Sequence, residues 1–217
     1  MTFLEAINAV LRRLREDTVT SSNSTDYSKL VGDFINQAIY ECEHSWDWNC
    51  LKDVITVTTA ASTASYDFHN ADVKIIEAIN DTQDWYMKVI PADYQMAHDY
   101  VINLQAGSPY FYSFTGKNGD YSQIKLTPTP TGVESIVFSV IKYTPEKEID
   151  GTDDSDAITI PSLPVVLNAY ARAVSERGED GGIAINKADM DYRTTLADAI
   201  SMDASLNHPL EHSWNVI

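Results

Sequence analysis

Apolar residues recur every three or four positions at both ends of this chain and at short β-branched runs between them. Leu4, Ile7, Val10, Leu11 and Leu14 predict a first helix, with Thr2 as its cap and Glu5 as the capping-box partner. The stretch Asp17–Asp26 (DTVTSSNSTD) reads as a polar loop. Leu30, Val31, Phe34, Ile35, Ala38, Ile39 and Cys42 then predict a second helix from about Tyr27 to Leu51, ending in Trp46 and Trp48.

The period changes at Val54–Thr59, a β-branched strand pattern. Tyr66–Phe68, Val73–Ile79, Trp85–Ile90, Tyr110–Phe114, Gln123–Thr127 and Glu134–Tyr143 read as further strands, with a short amphipathic helix over Ala92–Leu104. Lys117-Asn118-Gly119 and Thr131-Gly132 carry turn chemistry. Asp150–Asp156 (DGTDDSD) is an acidic loop, and Ile158–Ile160 adds one short strand. Pro161 and Pro164 open a helix that runs to about Arg177, where proline is tolerated in the first turn. Gly178–Gly182 breaks it, and a last helix covers roughly Asn186–Leu206.

The order is two helices, a strand-rich middle, then two helices. Neither terminal pair can bury both its faces alone. The expected fold is therefore α+β, a helical bundle formed from N- and C-terminal helical hairpins with an inserted, mainly antiparallel β module. The expected boundaries are 1–52 and 161–206 for the helical domain, 53–160 for the β-rich domain and 207–217 for a C-terminal docking tail.

Charge narrows the function. The 217 residues carry 15 Lys+Arg against 32 Asp+Glu, a net charge of -17. Such a surface is unsuited to gripping phosphates, which need Lys and Arg to displace counterions, and to docking on anionic lipid. With 44% hydrophobic residues the chain is apolar enough to fold, yet no run is long enough to span a bilayer and the N-terminus lacks the apolar stretch of a secretion signal. Cys42 and Cys50 are too few for a disulfide framework. On one continuous helix they would stand roughly 12 Å apart along the axis, which predicts free thiols.

No catalytic constellation emerges. His208-Pro209-Leu210-Glu211-His212 matches a zinc-peptidase pattern, but a proline separates the histidines and no third ligand follows. Cys42 and His44 would point about 200° apart on a helix, a poor start for a metal site with Cys50. The DGTDDSD loop lacks the sixth-position glycine and the closing glutamate of a calcium loop. Glu41, Glu43 and Asp47 are the nearest approach to a carboxylate pair, in a chain rich in carboxylates. The reading is no enzyme, no catalytic residues, no cofactor and no metal.

Three segments read together resemble the head-to-tail adaptor proteins of tailed bacteriophages, the tail tubular protein A or gatekeeper type. They are FLEAINAVLRRLRE with YSKLVGDFINQAIYECEHSWDWNCLKDVITVTT, then GSPYFYSFTGKNGDYSQIKLTPTPTGVESIVFSVIKYTP, then ITIPSLPVVLNAYARAVSERGEDGG. The resemblance implies a virion structural protein at the portal–tail junction, present in the host cytoplasm during assembly. It implies a homo-oligomeric ring of about twelve copies, with the portal protein and the tail nozzle protein as partners. DNA would pass through the lumen without specific binding, since facing carboxylates repel phosphates. Leu206, Leu210, Trp214, Val216 and Ile217 are the expected portal-binding residues, because large apolar groups on a tail anchor in a partner's groove. Trp46, Trp48, Trp85, Tyr110 and Tyr112 are expected at a subunit or domain interface. The alternative is a carbohydrate-binding or hydrolytic virion module, built on the strand aromatics and the acidic pairs.

Overall fold

The computed structural model describes residues 1–69, 73–91, 94, 105–119, 121–178 and 183–206. The chain divides into two compact units, one made of Met1–Cys50 with Glu146–Ile217, the other of Leu51–Pro145. The fold is mixed α and β.

Among the described residues, four α-helices build the first unit: α1 (Phe3–Arg13), α2 (Asp26–His44), α3 (Ser162–Arg177) and α4 (Ile183–Leu206). Helix α3 packs against the other three, and α1 also packs against α2. Buried Phe3, Ile7 and Val10 of α1, Val31 and Ile35 of α2, and Val165, Val166, Ala169 and Ala173 of α3 form the core. Helix α4 differs: of its side chains described, only Ala188 is buried.

The helix ends follow from local chemistry. At the start of α1 the Glu5 N–H donates to Thr2 Oγ1 and the Glu5 carboxylate accepts from the Thr2 N–H, while Phe3 and Leu4 donate to the carbonyls of Asp156 and Asp154. Its C-terminus is a Schellman motif, with Arg15 N–H on Arg12 O and Glu16 N–H on Leu11 O. That motif requires the left-handed region at Arg15, whose φ is +61°. Helix α2 starts on a second capping box, Thr25 with Ser28, and stops at His44, short of the Leu51 its pattern predicts. The reason is the Cys42 carbonyl, which accepts from Ser45 Oγ at 2.7 Å and from the Trp48 indole at 2.8 Å. Gly178, at φ +63°, ends α3.

Among its described residues, the second unit is a pair of four-stranded sheets. One has the order β1 (Lys52–Thr58), β8 (Ser135–Lys142), β3 (Val73–Asn80), β4 (Trp85–Tyr86), and is antiparallel throughout. The other has the order β2 (Ser65–His69), β7 (Tyr121–Thr127), β6 (Phe111–Asn118), β5 (Lys88–Val89), with only β5 and β6 parallel. Ile55, Phe138 and Ala78 form one cross-strand row of the first sheet. Phe138 meets Phe68 and Tyr112 of the second sheet edge-on, at 5.0 and 5.5 Å between ring centroids. The two sheets thus share one core, completed by Val57, Met87, Ile124, Leu126, Ile136 and Val140. The single strand expected over Trp85–Ile90 is split at buried Met87, where the chain leaves one sheet and joins the other. The helix expected over Ala92–Leu104 lies outside the described residues, apart from Tyr94.

The segment Glu146–Ile160, expected with the β-rich domain, belongs to the helical unit. Asn36 of α2 holds Lys147 through both backbone groups, at 2.8 and 3.2 Å. Ile149 lies against Gly32, where an added Cβ would stand 3.2 Å from it. In place of the strand expected at Ile158–Ile160 there is one bridge, Thr2 with Ala157, and Ile158 donates to Met1 O.

Candidate functional site

The polar residues gathered by α2, α3 and α4 are the first candidate. The Glu41 carboxylate accepts from Arg172, with which it forms an ion pair, and from Asn168 Nδ2 at 2.8 Å. Arg172 also donates to Gln37 and Asn168. Burial alone would raise the Glu41 pKa, but the hydrogen bonds from Asn168 and Arg172 and the guanidinium charge outweigh it and hold the carboxyl below its ordinary value. An acid held ionised in this way is an anchor between helices and a poor proton donor. Beside it, burial pushes the Cys42 thiol up to about 12, and its partner is the Tyr192 hydroxyl. That thiol is chemically quiet.

The metal and acid–base candidates fare as follows. His44 stacks on Tyr40, ring centroids 4.1 Å apart, with Nδ1 at 2.8 Å from the Tyr40 carbonyl oxygen. Cys50 is exposed and lies in a 3-10 turn (Asn49–Leu51), so the two cysteines do not share one helix as the sequence pattern predicts; both are free. Glu43 is buried and Asp47 exposed. Among the described residues no group of three or more His, Cys, Asp and Glu could hold a metal ion. The motif over His208–His212 lies outside the described residues.

The acidic loop is a structural tie. Asp154 accepts from the Ser22 N–H at 3.1 Å, Asp153 from the Glu148 N–H at 2.8 Å, and Asp156 pairs with Lys147 at 2.6 Å. Asn23 reaches the Asp150 carbonyl at 2.5 Å. The loop thereby joins the start of α1 to the segment that leads into α2. Burial would raise the Asp154 pKa, and the hydrogen bonds from Ser22 and Ser21 overcome it and set it below the ordinary value.

The expected interface aromatics are placed separately. The Trp46 indole donates to Asp203 of α4 at 3.0 Å, and Asn49 adds its backbone N–H and side-chain amide to the same carboxylate. Trp48 is fully buried in the helical unit. Tyr112 is buried in the sandwich core. Trp85 and Tyr110 are partly exposed on the β unit, Trp85 donating to Pro109 O at 3.2 Å and Tyr110 lying against Phe111. Of the expected portal-binding residues, Leu206 ends α4 with three-quarters of its surface exposed, while Leu210, Trp214, Val216 and Ile217 lie outside the described residues.

Two features escaped the sequence reading. Val137, Ile79 and Tyr86 form an apolar row across the first sheet with Thr56, and Tyr86 is largely exposed. The second feature is charge at the end of α1. Arg12, Arg13 and Arg15 are all exposed, and none has a carboxylate partner among the described residues. Three cations within four positions of a chain at -17 was the available signal.

No helix among the described residues is long and apolar enough to cross a membrane. The chain matches a family model described as SU10 adaptor protein over residues 1–211. No curated protein matches it.

Proposed function

The chain belongs to the SU10 adaptor protein family, which makes it an adaptor-type structural protein of a phage virion, and from that premise we propose that it forms the ring between portal and tail nozzle. About twelve copies close around the DNA path through heterologous contacts, in which one patch meets a different patch on the next copy. The observation that carries this reading is the family match, which spans both units.

Two physical features support it. Net charge of -17 makes the ring's surfaces repellent to passing phosphate, so DNA moves through without adhering. Helix α4 ends on an exposed leucine and leads into residues 207–217, whose Leu210, Trp214, Val216 and Ile217 are groups that seat in an apolar groove. The portal is the partner of that tail, and the contact's energy exceeds the entropy lost in ordering it.

The test is co-sedimentation with the portal rings of the same phage, followed by electron microscopy of the complex. The full chain should decorate one face of the portal with a second ring. A chain ending at Ser205 should keep its circular dichroism spectrum and lose portal binding. A full chain that ignores portal rings at micromolar concentration would overturn the proposal.

A further inference from the structure

We propose that the arginine cluster at the C-terminal end of α1, Arg12, Arg13 and Arg15, docks on an acidic strip of a second copy, Glu146, Glu148 and Asp150. This rests on the ring reading and assigns the two faces of its subunit contact.

The strip is built by alternation. Between Glu146 and Asp150 the chain is pinned to α2 at two points: Asn36 grips the Lys147 backbone, and Ile149 lies against Gly32. Lys147 is turned to Asp156. The residues that alternate with these contacts, Glu146, Glu148 and Asp150, are exposed, and none has a cationic partner among the described residues.

The arginines stand at the other end of α1. Phe3 and Leu4 open the helix on the carbonyls of Asp156 and Asp154, and eleven residues at 1.5 Å each carry it about 16 Å onward to Arg13. A basic residue here suits the helix dipole, and Arg13 does donate to the Ala9 carbonyl at 3.0 Å. That role does not account for Arg15, which lies past the last turn in the glycine position of the Schellman motif. Of the two acids that follow directly, Glu16 is held by Arg177, and Asp17 is exposed.

Charge complementarity names the occupant. Copies at -17 repel one another, so a positive patch that locally meets a negative one lowers the cost of bringing them together and sets where they touch. The two patches lie at different places on one subunit, so the contact is head-to-tail, the kind that closes into rings. Duplex DNA is the competing ligand for arginines, and the overall charge disfavours it.

The experiment uses two full-length variants. One carries Arg12→Glu, Arg13→Glu and Arg15→Glu. The other carries Glu146→Lys, Glu148→Lys and Asp150→Lys. All six positions are exposed, and circular dichroism is used to check that both variants fold. Self-association is measured by sedimentation velocity, alone and with portal rings present as a template. Each variant by itself should associate at least tenfold more weakly than the natural chain. Mixed together they should associate at least as strongly as the natural chain, since each then offers the charge the other lacks. A mixture no stronger than either variant alone sinks the docking inference, as does an arginine variant that assembles normally. Loss of duplex-DNA binding in the arginine variant, read by fluorescence anisotropy with self-association unchanged, assigns the cluster to phosphate and equally overturns it. If the natural chain fails to associate even on the portal, the ring reading itself falls.

Discussion

At the scale of single residues, buried polar groups carry the sharpest consequences. Asn80 is fully buried in the β unit and donates to Glu134 Oε2 at 2.5 Å and to Pro109 O at 3.3 Å. Glu134 is also buried, and its backbone N–H donates to Thr59 Oγ1 at 2.8 Å. Removing one partner of such a pair strands the other, which costs more than the bond itself contributes. Asn80→Ala should therefore lower stability by about 2–3 kcal/mol in urea unfolding, and a change under half of that would show the carboxylate to be satisfied without Asn80. The two thiols offer a second residue-scale measurement. Burial holds Cys42 at about 12, and desolvation followed by the Asp203 charge raises Cys50 as well, but Cys50 is exposed. Iodoacetamide at pH 8 should modify Cys50 alone in the folded chain, and Cys42 only after denaturation. The buried Asn and Glu could not be found from the sequence, because a polar residue in a strand pattern does not reveal which face it takes. Cys42 was visible as part of an apolar helical stripe.

At the scale of elements, the helix ends decide what each helix can do. The α1 cap was legible in Thr2 and Glu5, since a capping box is a contact between residues three apart. Its C-terminus was not, because arginine carries no signal for the left-handed region it occupies. L-residues in that region lose about 1–2 kcal/mol, while glycine there adds about 0.5–1 kcal/mol of chain entropy to the unfolded state. The balance predicts that Arg15→Gly raises stability by about 0.5–1 kcal/mol; an unchanged or lowered urea midpoint would mean the Arg15 side chain contributes to the fold. Helix α4 depends on its far end being tied. Asp203 accepts from Trp46 Nε1 and from the Asn49 backbone and side chain, and few other side chains of α4 are enclosed. Asp203→Ala should strip hydrogen-exchange protection from the last two turns of α4 and leave α2 and α3 protected. Protection lost throughout the helical unit would show instead that the tie supports the whole core.

At the scale of the whole molecule, acid is the natural probe of the helical unit. Glu41 and Asp154 both have folded pKa values below their ordinary ones. Each contributes stability that is present in full above the unfolded value of about 4 and is lost as pH falls through the lower folded value. The urea midpoint should hold between pH 7 and pH 5 and drop by pH 3, and a midpoint higher at pH 3 than at pH 5 would contradict both assignments. The sequence by itself determined most of the elements, because a helix or a strand is written in residues a few positions apart: α1, α3 and most strands lie where their periods put them. It also supplied the resemblance to phage adaptor proteins, since three separate segments carried the pattern. Tertiary structure alone decided the partners of those elements. It stopped α2 at His44 by spending the Cys42 carbonyl on Ser45 and Trp48. It also moved Glu146–Ile160 into the helical unit through Asn36, and left the arginines of α1 without a carboxylate partner among the described residues. These outcomes rest on hydrogen bonds and packing between residues far apart in the chain, whose energies no local pattern encodes.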